Sequence, residues 1–191
     1  YLLPVYFEDG ADTESVGPKG TSRFLKYDPK AQTWTSLGEV RSARGNIQPA
    51  VVEVAPDHLI AYARRGGGYG PVTDGWLVRS ESTDGGRTWT EGKDSAFPNP
   101  NSAVDFLKLS SGALLLVYND HMWKRTPLVL ALSTDQDRTY PIRRTLASGE
   151  NSYAYPIALQ ARDGRIHVVY TSDQRKVINH AIVTEEWIRA R

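Results

Sequence analysis

An eight-residue motif at positions 82–89, Ser-Thr-Asp-Gly-Gly-Arg-Thr-Trp, constrains the fold of this chain more than any other feature. Short Ser and Asp side chains hydrogen-bond the backbone of a turn, and Gly supplies the positive φ that other residues resist. Trp adds a flat apolar surface that packs beneath such a turn. Because the motif stands between two strand-like apolar runs, it predicts a tight β-hairpin.

The motif recurs at a nearly constant interval. A second copy at 133–140 has Asp137 in place of the second glycine and Tyr140 in place of tryptophan, and a weaker third copy at 27–34 ends at Trp34. Apolar runs that end in tyrosine follow the same interval, at Tyr6, Tyr62, Tyr118 and Tyr170. Two markers with one period of about 50 residues indicate a repeat architecture and favour the blades of a β-propeller. Packing explains the repeated tyrosines better than chemistry does.

Short β-branched and aromatic runs between turn residues predict up to four antiparallel strands per repeat. In the best repeat, the predicted strands are 47–54, 59–64 and 76–81, with an outer edge strand at 88–92. In the next two repeats they are 103–109, 113–118, 128–133 and 140–146, then 155–161, 165–171 and 177–183. Residues 184–191 could form a short helix, a last strand or a tail.

The predicted fold class is therefore all-β, a single propeller domain with four-stranded antiparallel blades. The blades fall at about 1–40, 41–97, 98–148 and 149–191, and the first and last are incomplete. Because closed propellers usually need about four to eight blades, we expect this chain to be part of a longer propeller. A missing N-terminal segment or a second chain would then cover the open edges.

Composition narrows the partners and the chemistry. The formal net charge of +1 gives no reason to expect nucleic acid or a membrane as a partner. The absence of cysteine excludes disulfides, thiolate nucleophiles and thiolate-bound zinc. The four histidines have no metal-ligand spacing, so neither a metal nor another cofactor is predicted.

The motif resembles the Asp-box of sialidase-type β-propellers. Nearly the whole chain is similar to the C-terminal half of bacterial predicted sialidases with BNR/Asp-box repeats, including the segments 4–8, 99–102 and 153–156. In that family the Asp-box turns lie on the face opposite the active site. The resemblance therefore implies a carbohydrate ligand at the starts of the inner strands and the ends of the second strands. It also makes an extracellular or periplasmic location the expectation, although the compartment stays unknown.

The same resemblance implies a catalytic tyrosine. The segment 155–170 is similar to the sialidase segment that carries the nucleophile, which puts Tyr155 at that position. A phenol needs a carboxylate to accept its proton, and Asp105 and Glu8 are the candidates. The expected substrate-binding residues are Gln48, Arg64, Arg65, Asn101, Asn119, Asp120, His121, Tyr153 and Arg175. Asp9, which follows Glu8, belongs to the same predicted edge.

One departure keeps the function open. Sialidases carry an arginine before Ile-Pro in an early inner strand, whereas this chain has Asn46-Ile47-Gln48-Pro49. Three hypotheses therefore remain: a retaining exo-sialidase that uses Tyr155, another glycan-cleaving propeller such as a polysaccharide lyase, and a non-catalytic carbohydrate-binding propeller.

Overall fold

The computed structural model describes residues 1–8 and 17–190. In these residues, fourteen strands form four antiparallel sheets and one short helix follows the last strand. The elements are β1 (Leu2–Phe7), β2 (Thr21–Asp28), β3 (Thr33–Val40), β4 (Asn46–Ala55), β5 (His58–Arg65), β6 (Trp76–Ser82), β7 (Lys93–Pro98), β8 (Asp105–Lys108), β9 (Leu114–Asn119), β10 (Leu128–Ser133), β11 (Ile142–Ala147), β12 (Ala154–Gln160), β13 (Ile166–Ser172), β14 (Val177–Val183) and α1 (Glu185–Arg189).

Each sheet is a simple meander. The middle two sheets have the orders β4-β5-β6-β7 and β8-β9-β10-β11, and the first and last are β1-β2-β3 and β12-β13-β14. The inner strands β4, β8 and β12 of successive sheets lie beside one another. The predicted all-β fold with blade-like antiparallel sheets is therefore confirmed.

One predicted strand is wrong, and the motif itself is the reason. The outer edge strand of the second sheet is β7, not residues 88–92, because Thr88 and Thr90 are still engaged by the turn. Thr88 bonds to Asp84, and Thr90 N donates to the Glu81 carbonyl. Of the three alternatives for residues 184–191, the structure shows a helix, α1, whose first turn is capped by Thr184. Residue 191 lies outside the described part.

The core is built between neighbouring sheets. Between the second and third sheets, Phe97 meets Tyr62, Tyr118 and Tyr140 edge-to-face, with ring centroids 5.0–5.7 Å apart. Tyr62 and Tyr118 are buried, which confirms their predicted packing role. Tyr6 does not follow the pattern, because 44% of its surface is exposed.

The intact and the degraded Asp-box fold into the same turn. In the first, Asp84 Oδ1 accepts from Thr88 N at 2.9 Å and Oδ2 accepts from the Thr88 hydroxyl at 2.6 Å. In the second, Asp135 accepts from Thr139 N and its hydroxyl at the same two distances. These hydrogen bonds lower the pKa of both carboxyls to about 2. The turn survives the loss of glycine and tryptophan because Ser, Asp and Thr make its contacts.

Trp89 joins the first sheet to the second. Its indole stacks on Phe24 of β2 with centroids 4.3 Å apart, and its Nε1 donates to the Gly86 carbonyl at 3.1 Å. The motif predicts a tryptophan buried beneath the hairpin, but the Trp89 side chain is only half-buried, because its ring stands at the boundary between the two sheets. Trp34 of the third copy is 55% exposed and lies against Tyr27.

Asp137, which stands where the motif has its second glycine, ties the third sheet to the second. Its φ is 73°, and its side chain is fully removed from solvent. The carboxylate accepts from the Tyr62 hydroxyl at 2.9 Å, the Tyr140 hydroxyl at 2.6 Å and Arg79 Nε at 2.7 Å. Because Tyr62 and Arg79 lie on β5 and β6, this buried carboxylate is a polar link between two blades. We call these four residues the Asp137 link.

We predict that Asp137→Gly, which restores the motif glycine, destabilises the protein. Arg79 and two phenols would lose a buried acceptor, at a cost of about 3 kcal/mol in the free energy of unfolding. Urea denaturation measures the change. Gln136→Gly is the matched control, because Gln136 also has positive φ but is exposed, and we expect it to be neutral or slightly stabilising. Equal stability of the two variants would contradict the Asp137 link.

The Asp-box carboxyls predict an acid-sensitive fold. Their pKa lies below the ordinary value of about 4, so their contribution to stability is complete above that pH and is lost as pH falls toward 2. We expect the urea midpoint of the wild type to fall across this window. The variant with Asp84→Asn and Asp135→Asn should show a shallower fall, and identical pH slopes would contradict the prediction.

Candidate functional site

Strand register brings the predicted site residues to one edge of the sheets. Asn46, at the start of β4, pairs with Arg65 at the end of β5, whereas Ser82 of the Asp-box pairs with Leu59 at the start of β5. The starts of the inner strands and the ends of the second strands therefore lie opposite the Asp-box turns. We call this edge, where β4, β8 and β12 begin and β5, β9 and β13 end, the site edge.

Three residues at the heads of the inner strands share an unusual backbone conformation. Gln48, Asn101 and Tyr155 have φ of 51°, 56° and 52°, in the left-handed region that non-glycine residues seldom enter. The ladder is interrupted at Gln48 in β4 and at Tyr155 in β12, and a proline follows each of them. A bulge of this kind redirects a side chain. Each of three successive sheets thus presents one such residue at the site edge. Strained backbone conformations of this kind cluster at functional sites.

Arg64 lies beneath these strand heads and is completely buried. Its Nε donates to Asn101 Oδ1 at 2.6 Å, and its Nη1 donates to Gln48 Oε1 at 3.1 Å. Its Nη2 donates to the Tyr69 hydroxyl at 2.7 Å. Within the described residues its hydrogen-bond partners are all neutral, so the buried guanidinium lacks a counter-charge there. A charge of this kind favours an anionic ligand.

Arg125 adds a second cation to the same place. Its Nη2 donates to the Asn101 carbonyl at 3.0 Å. Its guanidinium carbon lies 5.9 Å from the Tyr69 ring centre and 5.6 Å from that of Tyr155, which is cation–π distance. We call the resulting set the arginine cluster; its members are Gln48, Arg64, Tyr69, Asn101, Arg125 and Tyr155.

Sequence reasoning missed one member of this cluster, Tyr69, and it placed Arg125 at the site edge only as the last residue of the segment 119–125. Tyr69 stands in the glycine-rich loop 66–70, where a Cβ at Gly66 would collide with the Arg44 carbonyl. Asn101 Nδ2 donates to the Gly67 carbonyl at 2.5 Å, which fixes this loop over the site edge. An aromatic residue inside a run of glycines was the available signal for Tyr69.

Arg65 turns away from the cluster, although it was predicted to bind substrate beside Arg64. Its Nε donates to the Asn99 carbonyl at 2.9 Å, and its Nη1 donates to the Gly66 carbonyl at 2.8 Å. Burial lowers its pKa. These contacts support a structural role, because the guanidinium holds the backbone of its own loop.

The two predicted carboxylates have different surroundings. Asp105 Oδ1 accepts from Phe106 N at 2.9 Å, and Oδ2 accepts from Ala158 N at 2.6 Å, while burial raises its pKa. Asp105 therefore also links β8 to β12. Glu8 follows β1, and its Oε1 is buried without a hydrogen-bond partner among the described residues.

Four further candidates shape the loop between β9 and β10. Asn119 Nδ2 donates to the Tyr153 carbonyl at 3.1 Å, and the Tyr153 hydroxyl donates to the Ser148 carbonyl at 2.9 Å. An oxygen of Asp120 lies 3.9 Å from Arg143 Nη1. His121 Nδ1 accepts from two backbone amides of its own loop. These contacts support positioning of the loop, and direct binding by these residues stays a prediction.

The remaining candidates lie further out. Arg175 is in the exposed turn between β13 and β14, at the site edge, with φ of 72°. Asp9 lies outside the described residues.

A cavity of about 1060 Å³ runs along the inner strands. Gln48, Tyr155 and Asp105 line it toward the site edge, and it extends past Asp57 and Arg87 at the Asp-box edge. Its volume lies just above the usual range of about 300–1,000 Å³ for ligand sites in proteins. Arg64 and Arg65 lie outside its wall, so the cavity meets the arginine cluster through Gln48 and Tyr155.

In the part of the chain that the structure describes, no three His, Asp or Glu side chains are placed to hold a metal ion. No helix there has the length and apolar character needed to cross a membrane.

The blade-like meanders, the adjoining inner strands and the Asp-box turns at one edge define a β-propeller of the sialidase type. A family model described as "BNR repeat-like domain" matches residues 1–168, and the chain belongs to this family.

Solved structures support the same fold. The chain is similar to a Hadza microbial sialidase, with 19% identity and a TM-score of 0.70 over 88% of this chain and 33% of that one. A protein of unknown function from Dyadobacter fermentans has 23% identity and a TM-score of 0.70 over 95% and 49%. The NanB sialidase from Streptococcus pneumoniae has 17% identity and a TM-score of 0.69 over 87% and 28%. The chain thus spans between about a quarter and a half of these proteins. No curated protein matches it.

Proposed function

We propose that the site edge binds a glycan whose terminal sugar carries a carboxylate, and that the whole propeller hydrolyses this glycan as a retaining exo-sialidase with Tyr155 as nucleophile. One observation carries the proposal, namely the buried guanidinium of Arg64, whose partners in the described residues are all neutral. A sugar carboxylate would supply the missing counter-charge.

The cluster is rich in donors. Gln48 Oε1 already accepts from Arg64, so the side chain has its amide N–H groups left to offer to a ligand. Arg125 brings further N–H groups, and the rings of Tyr69 and Tyr155 offer flat faces. Carboxylate and hydroxyl oxygens accept such donors, and a sugar ring packs on such faces. Two of the similar solved proteins are named sialidases, which supports sialic acid as the carboxylated sugar.

The proposed chemical step uses the cavity wall. As Tyr155 Oη attacks the anomeric carbon, its phenolic proton passes to Asp105, the bond from that carbon to the aglycone oxygen breaks, and the leaving oxygen takes up a proton from solvent. Water then attacks the anomeric carbon and loses a proton to solvent, the bond to Tyr155 Oη breaks, and the proton held by Asp105 returns to the phenol. Asp105 lines the same cavity, and burial raises its pKa, which makes the carboxylate a better proton acceptor. The Arg125 guanidinium lies over the Tyr155 ring and so fixes the ring beside the cavity.

A second candidate function is glycan binding without cleavage. Both oxygens of Asp105 already accept from the backbone amides of Phe106 and Ala158. A carboxylate engaged in this way is a weaker proton acceptor, and none of the six side chains of the arginine cluster is itself a carboxylate. Binding would then persist without turnover.

We predict that Tyr155→Phe abolishes cleavage while it preserves binding. Release of 4-methylumbelliferone from its sialic-acid glycoside by the intact protein should fall by at least about 100-fold, because the nucleophilic oxygen is gone. Affinity for 3′-sialyllactose should change by less than about threefold. Equal turnover by both proteins would exclude Tyr155 as nucleophile. Tight binding with no turnover by either would favour the second candidate.

We further predict that Gln48→Glu has opposite effects on stability and on binding. The new carboxylate would face Arg64 and supply its counter-charge internally, so unfolding should cost about 1 kcal/mol more. The same carboxylate would compete with the ligand, and affinity for 3′-sialyllactose should fall about tenfold. Gln48→Ala is the control, since it removes the amide without adding charge and should not stabilise the protein. Undiminished binding by Gln48→Glu would show that Arg64 is not the anion site.

A further inference from the structure

We infer that Tyr69 is a gate over the arginine cluster. In the free protein its side chain covers Arg64, and it moves aside on the glycines of its loop to let the carboxylate of a ligand reach that guanidinium. The inference rests on the proposed function for its ligand, because the gate controls access to the same cluster. A conformational step therefore precedes binding.

Arg64 cannot be reached by a ligand while its neighbours stay in place. The residue has 0% of its surface exposed. A carboxylate must come within about 3 Å of a guanidinium N–H group to pair with it. One of the groups that cover Arg64 must therefore move before an anion binds there.

Three side chains accept hydrogen bonds from Arg64, and Tyr69 is the one that is placed to move. Asn101 is fully buried, and its Nδ2 donates to the Gly67 carbonyl. Gln48 is part of strand β4, which pairs with β5 on both sides of it. Tyr69 is 49% exposed and stands on the loop between β5 and β6. Its hydroxyl accepts from Arg64 Nη2 at 2.7 Å, and its ring centre lies 5.7 Å from the guanidinium carbon, so its side chain forms the outer cover.

The loop that carries Tyr69 has a fixed base and an open tip. At the base, Gly66 N donates to the Gly45 carbonyl at 2.8 Å, and the Gly66 carbonyl accepts from Arg65 at 2.8 Å. On either side of Tyr69, a Cβ at Gly68 or Gly70 would meet no atom within 4 Å. Two glycines with space around them can absorb the backbone rotation that a hinge needs. The tip can therefore turn while the base stays in place.

Opening of the gate exchanges a neutral acceptor for a charged one. When Tyr69 leaves, Arg64 Nη2 loses the phenol oxygen, and a carboxylate of the ligand takes its place. An ionised acceptor bonds a guanidinium more strongly than a neutral oxygen does, so an acidic sugar offsets the cost of opening and a neutral sugar does not. The Tyr69 ring centre also lies 5.9 Å from the Arg125 guanidinium carbon, so the same movement frees space beside the second cation.

Chemical modification tests the cover without any sugar. Phenylglyoxal reacts with guanidinium groups that solvent reaches, and peptide mapping by mass spectrometry gives the rate at each arginine. We expect Tyr69→Ala to speed the modification of Arg64 about tenfold, because the outer cover is gone. Arg65 is the matched control, since it is also buried but is held by the Asn99 and Gly66 carbonyls, and its rate should change less than about twofold. No acceleration at Arg64, or equal acceleration at both arginines, would overturn the gate.

Binding kinetics test the movement, with stopped-flow anisotropy of fluorescein-labelled 3′-sialyllactose and the intact protein. Tyr69→Phe removes the acceptor that holds the gate closed and should speed association about fivefold. Gly68→Ala combined with Gly70→Ala stiffens the hinge and should slow association about fivefold. Gly17→Ala, on the loop between β1 and β2, is the matched control, because its new methyl group would also meet no atom within 4 Å, and it should leave the rate unchanged.

The two experiments distinguish the gate from the proposed function. An association rate that stayed unchanged in Tyr69→Phe or in the hinge variant would overturn the gate and leave the proposed function intact. If the labelled probe did not bind the wild type, the proposed function would fail, whereas the phenylglyoxal rates at Arg64 and Arg65 would still decide whether Tyr69 is the cover.

Discussion

The fold depends on polar groups that are buried between blades and satisfied there. The carboxylate of Asp137 is the clearest case, because it leaves a turn of the third sheet to meet one guanidinium and one phenol of the second. Aromatic edges of the same two sheets pack around it. A charge in this position is costly unless every partner is in place, so it selects one arrangement of the two sheets. Asp105 acts in the same way between the third sheet and the fourth.

The candidate site also contains a buried charged group, but there the charge is not balanced by an opposite charge among the described residues. Arg64 is buried as completely as the Asp137 carboxylate, yet its partners among the described residues carry no charge. The strand heads that hold it have left-handed backbone, which costs folding free energy. Stability is therefore built at the Asp-box edge and between the blades, whereas the site edge retains strain and a cation whose charge the described residues do not balance. This division is typical of scaffolds that carry a binding site.

Features of the fold and the site could be predicted from the sequence where the contacts that form them join residues close together in the chain. The Asp-box turns and most strands were predicted, because Ser, Asp and Thr within eight residues make the contacts that define the turn. The family resemblance implied which edge carries the site, and the strand register shows that this edge lies opposite those turns. Tyr69 was missed, and Arg125 was not singled out within the segment 119–125, because their places depend on Asn101, which is distant from Tyr69 in sequence. Asp137 looked like decay of the motif because its partners Tyr62 and Arg79 belong to another repeat.

The bonds around Asn101 bear on how such a propeller can evolve. Its side chain holds an arginine of the preceding repeat, and its carbonyl holds an arginine of its own repeat. A gene that exchanged this repeat would therefore keep the contact with Arg125 but lose the one with Arg64, so no single repeat carries the complete recognition surface. Divergence by single substitutions at the strand heads avoids this barrier, because each head can change while its neighbours remain. New specificities in this lineage should then arise at positions such as Gln48 rather than through rearrangement of whole blades.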